Sequence, residues 1–298
     1  MTAPPPLAAR GASRRRLRVN RAAEATATAA ALLAIAVLAA VVVSVLRRAL
    51  PALDWGLFTK GPAVFGQAGG GIAPALAGTA LVVGIATAIA LPAGVLTALY
   101  VSEFAPRRAG DQIRLWLDVL NGFPSIVIGI FVYALVVNAR FLGVGHHQSA
   151  WAGGFALSII MLPLVARTTM EVLALVPASL REAGYALGAS KWRTVLGLVL
   201  PAAAGGIVTG TTLAVARAAG ETAPLLFTCS IAGSLVDWDP SHSVASITVT
   251  IFSYSESPDP NLHAQAWAAA FVLIAAVLVL SLVARAMLER SRRKLAGR

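Results

Sequence analysis

The chain has 298 residues, of which 58% are hydrophobic and 12% charged, with a formal net charge of +11. That charged share is about half that of a soluble globular domain. It cannot cover so much apolar side chain, so a soluble enzyme or binding module is excluded in favour of a polytopic membrane protein.

Residues 1–24 are Pro-rich and then Arg-rich, with Arg14, Arg15, Arg16, Arg18 and Arg21. They read as a disordered, basic cytoplasmic tail. Six apolar segments come next, near 25–46, 74–100, 115–138, 151–172, 198–220 and 264–287. Each is close to the roughly 20 residues a helix needs to cross the hydrocarbon. None shows the polar alternation of a barrel strand, so the fold class is all-α with six transmembrane helices. Pro92, Pro124 and Pro163 lie inside spans and predict kinks. The pairs Ala80 and Gly84, Ser125 and Gly129, and Gly206 and Gly210 have small-xxx-small spacing, which suits close packing within the chain or a seam with another subunit. Gly220 and Pro224 should break the fifth apolar run, leaving 225–236 as a short re-entrant or outer piece. The stretch 237–263 carries Asp237, Asp239, Glu256 and Asp259 and neither Lys nor Arg. It is expected to be an outer loop that meets an external partner. Residues 288–298 read as a second basic tail.

The basic residues are unevenly placed. With the N-terminus inside, the cytoplasmic segments hold nineteen of the 24 Lys and Arg, and the outer loops hold four. This bias puts both termini and the 173–197 loop in the cytoplasm. It also accounts for the net charge through topology and anionic lipid, with no nucleic-acid partner.

The 173–197 loop is the most informative stretch. Ser179 and Glu182 have capping-box spacing, which predicts a short helix starting there. Ala183, Tyr185, Ala186 and Leu187 give it an apolar side. Such a helix can dock into a groove of a soluble subunit or lie on the membrane surface. Further on, Arg217 and Glu221 are four apart and would share a helix face. An ionisable pair at that depth faces the bundle interior or a water-filled path. A guanidinium matches an oxyanion, Glu221 would neutralise it when the path is empty, and Thr222 adds a hydroxyl. The other reading is a permanent ion pair bracing two helices. Glu171 and Arg167 read as a surface pair or a contact to a soluble subunit. His146 and His147 read as a solvated loop, and the single cysteine, Cys229, as a packing residue. The chain contains no G-x-x-x-x-G-K-[ST] loop, so any nucleotide hydrolysis belongs to another subunit.

Glu182, Ala183, Gly184, Gly188, Leu198, Leu200 and Pro201 together resemble the EAA loop of binding-protein-dependent (MetI-like) ABC importer permeases. Gly184 stands where a second alanine is usual and Leu198 where isoleucine is. The stretches 71–79 (GIAPALAGT), 124–131 (PSIVIGIF) and 217–224 (RAAGETAP) extend the likeness to the phosphate-specific, PstA-type permeases over about 71–285. The resemblance implies a type I importer permease fold over 71–287, with a first helix and outer loop at 25–70. It implies a coupling loop at 177–201 in which Glu182, Ala183, Gly184 and Gly188 meet an ATPase, and a pathway lined by Arg217, Glu221 and Thr222. It implies no cofactor. The implied partners are a second, PstC-type permease, two PstB-type ATPase subunits, an external PstS-type phosphate-binding protein and the bilayer. Another oxyanion (sulfate, molybdate or phosphonate), a stand-alone secondary transporter and a membrane scaffold are the competing readings.

Overall fold

The computed structural model describes residues 12–63, 66–67, 69–138, 147–229 and 235–295. Residues up to Arg48 form one unit and those from Ala49 onward another. The first unit is nearly all of α1 (Ala12–Ala49). This helix begins well before residue 25, so much of the expected disordered tail is helical. A run dominated by Ala, Leu and Val, with neither Gly nor Pro, explains its length.

The second unit is helical throughout its regular structure. After a short α2 (Trp55–Thr59), capped by the Asp54 carboxylate, come α3 (Ala73–Leu99), α4 (Arg107–Gly122), α5 (Ser125–Val132) and α6 (Ala150–Ala174). The later elements are α7 (Ala178–Ala186), α8 (Lys191–Thr194), α9 (Leu200–Ala219), α10 (Ala223–Thr228), α11 (Ile247–Ser255) and α12 (Pro260–Leu295). Among the described residues, five continuous helical segments are long and apolar enough to span a bilayer. The expected third span is different. Its two halves, α4 and α5 with the turn to Val137, meet at 95°. Pro124 disfavours the α conformation at the residue before it, and Phe123 is extended at φ −68°, ψ 135°. The proline therefore breaks the element instead of kinking it. Pro92 and Pro163 lie inside α3 and α6, which remain continuous.

α3, α6 and α9 form the centre of the bundle, and small residues set how closely they approach. A Cβ on Gly94 would lie 2.9 Å from Val165, and one on Gly154 2.4 Å from Ile85. Gly206 and Gly210 pack against Val172 and Thr168 of α6, and Gly129 against Pro224. Those two pairs therefore serve packing within the chain, whereas Gly84 faces open space. Without a hydrophobic drive between helices in lipid, such close contact supplies the dispersion that holds them. Large apolar side chains outside this core, such as Leu213, Leu278 and Leu282, are exposed.

The stretch 237–263 is only partly the loop expected. Val244, Ala245, Ile247 and Val249 are buried, and α11 packs on α12 and α3. Ile247 N–H donates to Thr79 Oγ1 at 2.8 Å, and a Cβ on Gly78 would strike the Ala245 carbonyl.

Candidate coupling helix and membrane pathway

The predicted short helix exists as α7, but Ser179 does not cap it. The N-cap residue is Pro177, and no side chain bonds to the first turn. The N-cap therefore lies two residues ahead of the capping-box position, at a proline whose ring fixes φ, here at −58°. The helix ends in a Schellman motif. Ala189 N–H donates to Gly184 O at 3.1 Å and Gly188 N–H to Tyr185 O at 2.9 Å. Gly188 sits at φ +77°, where a Cβ is disfavoured.

Gly184 explains the long spacing of the loop. It is the one buried residue of α7, and an added Cβ would meet Thr194 Cγ2 at 2.7 Å and Leu198 Cδ1 at 3.0 Å. The helix therefore lies directly on the beginning of the next span. Glu182, Ala183, Tyr185 and Leu187 are exposed, Leu187 at 87%. Between Thr194 and Leu200 the chain makes a π-helical turn, closed by Leu200 N–H to Val195 O. Pro201 accounts for it: its ring clashes with the carbonyl four residues back, at Gly197, and it has no N–H to give.

One ionic contact differs from the sequence expectation, and a second had no counterpart in it. Arg167 pairs with Asp118 of α4, not with Glu171. Arg181 of α7 is engaged by Glu103, in the π turn that ends α3, at 2.7 Å. Glu103 was not singled out by the sequence; only its place at the end of a span marks it.

At the other end of α9, the helix stops at Ala219 with Gly220 as C-cap. Arg217 and Glu221 therefore do not share a continuous helix. Arg217 Nε lies 3.9 Å from Glu221 Oε1, beyond hydrogen-bond length, with the guanidinium 53% exposed and the carboxylate 18%. The Glu221 backbone is held instead, its carbonyl accepting from Thr248 Oγ1 at 2.9 Å. Thr222 does not enter the contact. It caps α10, its carbonyl accepting from Leu225 and Leu226. Arg217 and Glu221 line a cavity of about 90 Å³ with Asn121, Ser125, Leu120 and Phe123. The 95° break places Ser125, the first residue of α5, on that cavity. The Arg217 guanidinium, the Asn121 amide and the Ser125 hydroxyl can donate to a small oxyanion, whereas the Glu221 carboxylate only accepts.

The acidic stretch forms a compact knot. Asp237 accepts from Asp239 N–H at 2.8 Å and pairs with His242 Nδ1 at 2.7 Å. The Asp239 N–H and then His242 hold the Asp237 carboxyl below its ordinary pKa, and Asp237 holds the imidazole above its own. Among the described residues no group of three His, Cys, Asp or Glu is arranged to hold a metal. His146 and 230–234 lie outside the described residues.

A central bundle of closely packed spans, with a short exposed helix docked beneath one of them, is the architecture of the membrane subunit of an importer. The profile of the binding-protein-dependent transport system inner membrane component family matches residues 90–297, and the chain belongs to that family. Its relatives include the phosphate transport system permease protein PstA of Yersinia pestis, 38% identical over 84% of this chain and 83% of the relative. Another is the PstA of Xylella fastidiosa strain Temecula1, 36% identical over 94% and 95%. The fold is shared with the MetNI methionine ABC transporter in an inward-facing conformation (TM-score 0.55, 19% identity, 74% of this chain and 93% of that chain). A bacterial ABC transporter involved in import of the polysaccharide alginate gives a TM-score of 0.54 at 16% identity, over 73% of this chain and 78% of that chain. The protein is thus a multi-pass membrane permease.

Proposed function

We propose that this chain is one permease subunit of an ATP-driven importer of inorganic phosphate, with its termini and α7 on the cytoplasmic side. The observation that carries the substrate is Arg217 beside Asn121, Ser125 and Glu221 in one cavity, in a chain similar to permeases named for phosphate. A tetrahedral oxyanion takes the guanidinium fork, and Glu221 takes it back when the anion leaves. A pair separated by 3.9 Å, with its arginine half exposed, is weak enough for such exchange.

A second permease, of PstC type, faces this one across the pathway. Two ATPase subunits, of PstB type, receive the coupling loops, here through Glu182, Ala183 and the turn at Gly188. An external phosphate-binding protein, of PstS type, delivers the anion to the outer face. Thr222 belongs to the pathway through its backbone, as the start of α10. The exposed face of α7 supports docking to a soluble partner, because a helix lying on lipid would present one clean apolar side, whereas Glu182 stands among Ala183, Tyr185 and Leu187.

The test is uptake of radiolabelled phosphate by cells lacking their own permease, with sulfate, molybdate and phosphonate as competitors. Phosphate uptake restored by this chain and displaced only by unlabelled phosphate supports the reading. Displacement by another oxyanion at lower concentration would reassign the substrate.

A further inference from the structure

We infer that Glu103 and Phe104 form a two-residue hook by which α3 grips both ends of the coupling loop, so that movement of α7 is carried directly into α3. Both act as positioning residues. The inference rests on the reading of α7 as the ATPase-coupling helix.

Glu103 is 6% exposed. Its carboxylate receives Arg181 Nη2 at 2.7 Å and Nε at 3.2 Å, an approach from two nitrogens that fixes orientation as well as distance. The same guanidinium donates through Nη1 to Val176 O at 2.8 Å and through Nη2 to Leu173 O at 3.1 Å, the last carbonyls around the end of α6. One side chain of α7 thus joins the ends of two spans. The next residue, Phe104, stacks on Trp192 of α8, with centroids 4.2 Å apart and planes at 25°. Lys191 Nζ stands 5.1 Å from the same ring. Adjacent residues of α3 therefore hold the loop on either side of its Gly188 turn, through Arg181 before it and Trp192 after it.

The local backbone is built for this. Residues Tyr100–Phe104 form a π-helical turn, closed by Ala105 N–H to Tyr100 O at 2.7 Å. A π turn holds one residue more than an α turn and shifts the register of the residues beyond it by about 100°. Glu103 and Phe104 lie within this turn, and both side chains meet the loop. The chemistry resists loosening: withdrawing either partner of a mostly buried ion pair strands the other charge, and the aromatic stack adds an oriented contact. By contrast, the Arg114–Asp111 pair on α4 is 51% and 73% exposed and ties nothing distant. Leu187, Tyr185 and Glu182 are exposed, so α7 can meet a partner through them while α3 holds it through Arg181.

The experiment uses the complete transporter, this permease with its second permease and ATPase subunits, in proteoliposomes. Phosphate uptake and ATP hydrolysis are measured together. Glu103→Ala/Phe104→Ala is expected to keep hydrolysing ATP while phosphate moved per ATP falls about tenfold, within the range that coupling between sites commonly carries. Glu103→Gln and Phe104→Tyr, which retain a bond acceptor and a ring, are expected to recover most of the ratio. Glu182→Lys serves as the control for the coupling helix itself. If Glu182→Lys abolishes uptake while the hook variants keep the wild-type ratio, the hook is overturned and the coupling helix stands. If Glu182→Lys leaves the ratio unchanged, the coupling reading has failed and the hook with it. Should the double alanine variant not assemble, Glu103→Cys/Arg181→Cys in a Cys229→Ala background decides. A short bis-maleimide linker, which adds to both new cysteine thiols without an oxidant, must raise phosphate moved per ATP; a linked complex that stays uncoupled overturns the hook.

Discussion

Gly184→Ala is a one-methyl change whose effect can be worked from the packing of α7. The new Cβ would lie 2.7 and 2.8 Å from Thr194 Cγ2 and Oγ1, and 3.0 Å from Leu198 Cδ1. Thr194 is fully buried, so it cannot swing aside; α7 must lift from the span. Overpacking of this kind costs about 1–3 kcal/mol. The coupling loops this stretch resembles usually carry alanine here, so the site should accept alanine once Thr194 is smaller. Thr194 Oγ1 is buried without a hydrogen-bond partner, so Thr194→Ala alone should be nearly neutral. The double variant should then recover most of the loss, an interaction of about 1–2 kcal/mol between the two sites. Thermal unfolding of the detergent-purified permease, monitored by tryptophan fluorescence, measures this. A Gly184→Ala protein as stable as wild type, or one that Thr194→Ala fails to rescue, would refute the packing argument.

Arg217→Gln is expected to abolish phosphate uptake at an unchanged level in the membrane, with Arg217→Lys retaining a small part of it because a point charge lacks the fork; full uptake by the glutamine variant would make the pair a brace. Gly188→Ala has room for its methyl group but strains the left-handed backbone at φ +77°, so a stability loss of about 1 kcal/mol is expected. An equal loss from the roomy Gly84→Ala would show that conformation is not the cause. Gly78→Ala should detach the 244–246 segment from α3, because its Cβ would lie 2.0 Å from the Ala245 carbonyl; faster amide exchange at Ile247 reports it, and unchanged exchange contradicts it. The His242 knot should depend on pH from both sides. The imidazole pKa is raised above its ordinary 6.5, so its contribution is complete below that value and is lost as pH rises through the raised one. The Asp237 pKa is lowered from 3.8, so its contribution is present above 3.8 and is lost as pH falls through the lowered one. Protection of the Asp239 and His242 amides, corrected for intrinsic exchange, should therefore fall above the raised imidazole value and again in strong acid. Protection independent of pH over that range would dissolve the knot as an explanation.

The spans, their small-residue packing and the short loop helix were legible because composition and spacing report them directly. The break after Gly122 was signalled by Pro124, but the size of a bend depends on what the two halves pack against: α4 pairs Asp118 with Arg167 of α6, whereas α5 packs on α10. The helix at Ile247–Ser255 was hidden inside an acidic stretch, since charges at Asp237, Asp239 and Glu256 outweigh a nine-residue apolar insert in any reading by composition. Arg217 and Glu221 were singled out and do line one cavity, but their four-residue spacing implied a helix that Gly220 ends. Glu103 was missed because its partner is 78 residues away, and no local spacing encodes such a contact.

The central claim is phosphate import coupled through the loop at Glu182. Its most direct test is radiolabelled phosphate uptake in cells lacking a phosphate permease, complemented with wild type or Glu182→Lys at equal membrane levels. Restored uptake with wild type and its loss with the variant is the predicted result. Equal uptake with both would contradict coupling through α7, and failure of both would contradict phosphate as the substrate.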